Sequence, residues 1–294
     1  LMNGGLEMKK ILVTVFCIIL LFSLTSCGNN ERRKQEIASM FDSFDKSENI
    51  ILLTRFELVV NGTHYDLDDI KYNEQKCNIV FLDENGFYSY IYSQDNLSVE
   101  FLYTLYETFE TTSLGAEILP SKIINAFWGD NSFWFRMDDP DTDEFQQMCY
   151  SWCIDTKQVN IVDSGSISND YEYSKDSNRS TRYSFTYTSK TFGNYLEITD
   201  TESGITKKVD SSVLNTFEEG KKIKKENSGT VFNISHVFED NGTIYFSSLF
   251  GVNHLGDPCY CYVFTWNFET EECKFYTSVY FDSYQEWVSD MYVK

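Results

Sequence analysis

Positive charge is scarce in this 294-residue chain: 24 Lys and Arg stand against 45 Asp and Glu, for a net charge of −21. A field of that sign repels nucleic acid and anionic lipid surfaces, so nucleic acid is not an expected partner. It favours cationic partners or metal ions, and it keeps a domain soluble. Proline numbers only 3 and glycine 15, which leaves no long flexible linker. The histidines are His64, His236 and His254, dispersed with no helix-spaced pair. No Gly-x-Ser-x-Gly elbow, phosphate-cradling glycine loop or dinucleotide fingerprint occurs, so the sequence offers no catalytic constellation.

What is abundant is aromatic residues, at 17% of the chain. Many of them lie in alternating stretches, of which Met148–Val162 is the clearest. Met148, Tyr150, Trp152 and Ile154 alternate with Cys149, Ser151, Cys153 and Asp155. A period of two sends successive side chains to opposite faces of a strand. Here one face is bulky and the other small but not strongly polar, which suits a strand buried on both sides. Asp155–Gln158 supplies a turn, and Val159 and Ile161 resume the strand.

This unit recurs. Taking Asn61, Glu107, Asp155, Asp200 and Asn267 as the turn markers, the intervals are 46, 48, 45 and 67 residues. A second marker keeps the same beat: Asn85 and Asn131 are 46 residues apart, and Asn241 follows 110 residues later. Strand-turn-strand cores repeating every 40–50 residues or so mark propeller blades. The expectation is an all-β chain, a β-propeller of about five four-stranded blades over 50–294. An antiparallel two-sheet β-sandwich is the alternative. Tyr284–Val293 is expected to lend a strand to the first blade and close the ring, since an open ring exposes edges. Glu218–Glu226, the one basic cluster, reads as a solvated loop, with contact to anionic wall polymer or lipid headgroups as its functional alternative.

The N-terminal stretch is different. Met8-Lys9-Lys10 precedes an almost wholly apolar run, Ile11–Leu24, that is short for a spanning helix. Leu24-Thr25-Ser26-Cys27 ends it. This resembles a bacterial lipoprotein signal peptide with its lipobox. The resemblance implies lipidation at Cys27, removal of residues 1–26, and a lipid anchor on the extracytoplasmic face of a cell membrane. It covers only about the first thirty residues. The leader carries Glu7, Lys9 and Lys10, so its removal takes the net charge from −21 to −22. Gly28 follows Cys27, so the aspartate resembling an inner-membrane retention signal is absent, and hosts with one or two membranes both stay open. Residues 27–49 read as a lipidated tether with a short helix, on the spacing of Ile37, Met40, Phe41 and Phe44.

Six cysteines remain: Cys77, Cys149, Cys153, Cys259, Cys261 and Cys273. Cys149 and Cys153 on one strand are about 13 Å apart, too far to bridge. Across the last hairpin, Cys273 is expected to face Trp266 rather than Cys261. Cys149 and Cys261 are expected at equivalent places in their repeats. Buried thiols are the first reading and one long-range disulfide the second, since zinc spacing is absent.

Asp139, Asp141 and Asp143 alternate like the ligands of a calcium loop, but Glu144 stands where glycine is needed and Tyr150 where an acid is needed. An acidic solvated loop is the simpler reading. Calcium is thus the one cofactor in question. Five Asn-x-Ser/Thr sequons read as turn asparagines. The function expected is a membrane-anchored binding or scaffold module, not an enzyme, contacting cell-wall or host glycan or a surface protein. Trp128 and Trp134, flanking a first-hairpin turn, are the candidate ligand contacts. The alternative is a glycoside hydrolase-like enzyme, since some five-bladed propellers cleave glycosides with two facing carboxylates.

Overall fold

The computed structural model describes residues 49–92, 98–129, 131–138, 147–162, 182–190, 193–227, 232–251, 259–282, 285 and 288–294. The chain divides into two compact units, 1–45 and 46–294. The whole first unit lies outside the described residues, and with it the lipobox and the expected tether helix. Asp139, Asp141, Asp143 and His254 lie outside them too.

The second unit is a five-bladed β-propeller built of small antiparallel sheets. Blade 1 contains β1 (Ile50–Thr54), β2 (Glu57–Val60) and β3 (Thr63–Asp66). A short hairpin, β4 (Lys71–Tyr72) and β5 (Gln75–Lys76), leads to blade 2: β6 (Asn78–Leu82), β7 (Gly86–Tyr92), β8 (Ser98–Leu105) and β9 (Thr111–Ile118). Blade 3 is β10 (Ile123–Gly129), β11 (Ser132–Asp138), β12 (Gln147–Cys153) and β13 (Gln158–Val162). Blade 4 has three described strands rather than four: β14 (Tyr183–Lys190), β15 (Gly193–Asp200) and β16 (Thr206–Val209). Blade 5 is β17 (Asn233–Asp240), β18 (Thr243–Gly251), β19 (Cys259–Asn267) and β20 (Cys273–Phe281). The chain then returns, and β21 (Val288–Val293) pairs with β1 from Ile50↔Val293 to Thr54↔Val288, completing blade 1 in the order β21-β1-β2-β3. The expected closing strand is therefore present.

Burial on both faces separates a blade from the sheet of a sandwich. Every residue of β1 is buried. Ile50 and Leu52 enter one core cluster with Cys261, Val263 and Val279 of blade 5. Ile51 and Leu53 enter another with Leu82, Phe87 and Leu102 of blade 2. The far face of blade 2 gives Tyr90, Val99 and Phe101 to a third cluster with Phe133, Phe135 and Trp152 of blade 3. Alternation along one strand thus feeds two neighbouring blades, and each buried Leu, Ile or Phe side chain is worth about 1.5–3 kcal/mol. This packing is radial and replaces the sandwich alternative.

The outer hairpins of blades 2 to 5 share one turn. The N–H groups of Phe109, Lys157, Gly204 and Glu271 donate to the carbonyls of Leu105, Cys153, Asp200 and Asn267. The four donors have φ of 53°, 53°, 69° and 57°. These turns start 48, 47 and 67 residues apart. The turns after Leu105 and Cys153 begin two residues earlier than the markers Glu107 and Asp155. Register corrects one expectation accordingly: Ser132↔Cys153 in blade 3 corresponds to Thr243↔Asn267 in blade 5, so Cys149 matches Val263, not Cys261. Trp266↔Cys273 is the expected pair. All six cysteines are free, and all but the half-buried Cys153 are buried.

The large interval has a cause that the loop reading missed. Residues 211–227 fold into a 3₁₀ turn, Ser211–Asn215, capped by Asp210, and a helix, α1 (Glu218–Glu226). Glu218 and Glu219 occupy its first turn and Lys224 and Lys225 its last, the signs that the helix dipole favours. Its apolar contribution is one side chain, Ile223, which is fully buried. Gly220 lets it approach so closely because a Cβ there would lie 2.4 Å from the Leu214 carbonyl oxygen. No helix among the described residues is long and apolar enough to cross a membrane.

Candidate functional site

In an up-and-down blade, the turns joining first to second and third to fourth strands share one end of the ring. The other connections share the opposite end. Trp128 sits at the first of these ends, next to the turn between β10 and β11. It is buried rather than open, stacked on Tyr88 (4.2 Å between ring centres) and on Phe81 (5.2 Å). Tyr88 in turn packs on Tyr103 at 4.7 Å. Trp134 belongs to the other face. Phe127↔Trp134 and Trp128↔Phe133 are cross-strand partners, so the two tryptophans point to opposite sides of blade 3. Trp134 stacks on Phe127, and its Nε1 donates to the Gly129 carbonyl at 2.8 Å. The structure therefore does not join Trp128 and Trp134 in one contact. It joins Trp128 to Phe81, Tyr88 and Tyr103 along the seam between blades 2 and 3.

The three partner rings are half-buried, and the seam is edged by polar groups. Tyr103 donates its hydroxyl to Asp83 Oδ1 at 2.9 Å. That oxygen also accepts the N–H groups of Asn85 and Gly86, at 2.9 and 2.8 Å, which fixes the carboxylate. Gly86 is required, because a Cβ there would lie 2.2 Å from the Thr104 carbonyl oxygen. Asn131 donates to Asp155 at 2.9 Å. Burial first, then the charges of Asp83 and Asp155, push the Tyr88 phenol up. Tyr103 moves up for the same reasons, burial leading and its bond to Asp83 next. Neutral phenols between fixed carboxylates offer flat apolar faces with donors and acceptors at their edges.

The ionisable groups near the ring axis are engaged differently. Asp290 on β21 accepts the Leu82 N–H of blade 2 at 2.7 Å with one oxygen. Its other oxygen accepts from Met291 N at 2.8 Å and faces His236 Nε2 of blade 5 at 3.3 Å. His236 is 3% exposed and Asp290 4%. Three blades thus meet on one carboxylate. The inner strand of a blade has no neighbour on its axial edge, so its backbone groups need such partners. On the inner strands the ladder register steps past Val80, Ile124, Ser235 and Ser289. These shifts turn the residues that follow, including His236 and Asp290.

A second network binds the returning chain at the opposite end. Thr54 donates to Gln285 Oε1 at 2.7 Å, Gln285 Nε2 donates to Glu57 at 3.0 Å, and Glu57 holds His64 Nδ1 at 2.7 Å. Between blades 4 and 5, Arg182 bridges Asp200 and Glu269 at 2.9 and 3.0 Å. Sequence reasoning missed all three clusters, since each joins residues of different blades or of opposite ends of the ring's chain.

Among the described residues, no three His, Cys, Asp or Glu side chains are grouped to hold a metal ion. Among the described residues, the carboxylates with displaced titration move down: Asp68 and Glu218 through lysine partners, Asp200 through the Ser203 N–H and then Arg182, and Asp210 to about 2 through Ser212.

No family model and no curated protein matches the sequence. Among solved structures, the chain is similar to an S511A mutant of puromycin hydrolase at 9% identity and a TM-score of 0.30, covering 74% of this chain and 31% of that one. It is similar to an uncharacterised protein of Listeria monocytogenes at 10% identity and a TM-score of 0.30, covering 79% and 63%. Dipeptidyl peptidase 4 of Porphyromonas gingivalis follows at 7% and 0.27, covering 75% and 28%. The chain spans less than two thirds of the length of each. Sheet order and register, not these likenesses, define the class: a five-bladed β-propeller.

Proposed function

We propose that this chain is a lipid-anchored extracytoplasmic binding module that presents the seam between blades 2 and 3 to a glycan. The observation that carries the reading is the Tyr103–Tyr88–Trp128–Phe81 stack between the fixed acids Asp83 and Asp155. A sugar ring has an apolar face and hydroxyl edges, and a half-exposed aromatic bordered by carboxylates and phenols meets both. A surface protein is the competing partner. The lipobox supports the anchor, with Cys27 as the lipidated residue.

A glycan array on the full chain tests the contact. At least one glycan is bound, released unchanged, and bound at least tenfold more weakly by Tyr103→Ala. Cleavage of the glycan would return the enzyme alternative, and binding untouched by Tyr103→Ala would move the site elsewhere. The anchor is tested by Cys27→Ala, which is expected to abolish lipid labelling and release or block processing of the protein. Unchanged labelling would contradict it.

A further inference from the structure

We propose that the outward face of α1, with the tyrosine pair beside it, is a second binding surface, one for a phosphate-bearing polymer chain. It does not depend on the seam between blades 2 and 3. At about 100° per residue, Lys221, Lys222, Lys224 and Lys225 fall within an arc of about 160° centred opposite Ile223. All four are exposed while Ile223 is fully buried, so the fold turns the whole lysine face outward. Glu219, in the first turn, falls outside that arc on the same geometry. Glu218 falls inside it and is held by Lys221 at 2.6 Å. Lys224 donates to Asn215 at 3.1 Å, an uncharged partner that leaves its charge uncompensated. In a chain of net charge −21, this concentrates cation where the rest of the surface repels anions.

The helix connects to surface tyrosines through a buried one. Its C-cap, Asn227, reaches the hydroxyl of the buried Tyr262 at 3.4 Å. The Tyr262 ring lies 5.8 Å from Tyr260, and Tyr260 packs across the strand pair on Tyr280 at 5.0 Å. Tyr280 is 37% exposed. Asp282, exposed just beyond β20, is the acid next in sequence and bounds the surface there.

Lysines act on phosphate as compact point charges, and several weak exposed contacts become useful only against a repeating polyanion. A lipid surface fits less well. A helix lying in an interface needs an apolar outer face, whereas the one apolar side chain of α1 is spent on the interior. The tyrosines suit the carbon skeleton between phosphates.

The test is binding of long-chain linear polyphosphate to the immobilised full chain. The wild type is expected to bind at about 50 mM salt and to weaken by more than tenfold at about 200 mM, as counterion release dictates. Replacing the four lysines by glutamine, which keeps helix propensity, is expected to lower affinity at least tenfold. Lys71→Gln with Lys76→Gln, on the β4–β5 hairpin, is expected to change it less than twofold. Three results would overturn the inference: no binding by the wild type, wild-type binding by the four-lysine variant, or preference for anionic phosphatidylglycerol vesicles over polyphosphate. The array result stands apart, since a glycan held at the seam survives the loss of the lysines.

Discussion

His236 and Asp290 lie 54 residues apart in sequence, and they meet at 3.3 Å where blade 5 touches the closing strand. The same carboxylate takes the Leu82 N–H of blade 2. Asp290→Ala would leave that buried N–H unpaired and remove the carboxylate that faces His236. It is expected to cost about 2–4 kcal/mol, read by urea unfolding. A loss below about 0.5 kcal/mol, the scale of an ordinary surface change, would mean that the axis is hydrated and the pair idle.

Two glycines separate steric from conformational cost. Gly86→Ala drives a Cβ into the Thr104 carbonyl oxygen and is expected to destabilise by about 2–4 kcal/mol. Gly204→Ala meets nothing within 4 Å, so it pays only for left-handed backbone, about 1–2 kcal/mol. Phe109, Lys157 and Glu271 already tolerate that conformation in the other blades. Thermal unfolding of the two variants orders them, and the reverse order would refute the close approach at Gly86.

Thiol chemistry is expected to single out one cysteine. Hydrogen bonds from Thr156, then from the Asp155 N–H, hold the Cys153 thiol below its ordinary range, and it is only half-buried. Burial pushes Cys259 to about 11 and Cys273 to about 12, and raises Cys77 and Cys261. Native-state alkylation followed by mass spectrometry should modify Cys153 first among the six, with the others reacting only on unfolding. A bridged pair, or faster reaction at Cys259, would contradict this.

Acid sensitivity follows from two aspartates. Asp210 is lowered to about 2 by its bonds to Ser212, then to Lys208, and Asp200 is lowered by the Ser203 N–H and then by Arg182. A depressed carboxylate contributes stability that is complete above its unfolded value, near 4, and is lost as pH falls through its folded value. Stability should therefore decline from about pH 4 downward. Asp200→Asn and Asp210→Asn should each flatten that decline while lowering stability at pH 7. An unchanged acid limb in both variants would remove these groups as its cause.

Much of this architecture was legible because blades bury both faces of a strand. Tyr150 and Trp152 alternating with Cys149 and Ser151 already described such a strand, and the recurrence of its turn described the ring. The Trp266↔Cys273 register and the closing strand were readable from the same pattern. The turn starts were harder. Cys153 caps its turn with sulfur where Asp200 and Asn267 use oxygen, and Leu105 has no side-chain oxygen to mark the place. Helix α1 was hidden because a single buried isoleucine among charges shows no apolar periodicity. The seam was half visible: Trp128 could be named, but its partners Phe81, Tyr88 and Tyr103 come from another blade.

The central claim is that the ring is closed by β21 in the inner position of blade 1. Amide hydrogen exchange, read residue by residue, tests it directly. Tyr292 should exchange in the same slow class as Ile51, its partner across the ladder. Rapid exchange over 288–293 with β1 still protected would show that the ring is held shut by something other than this strand.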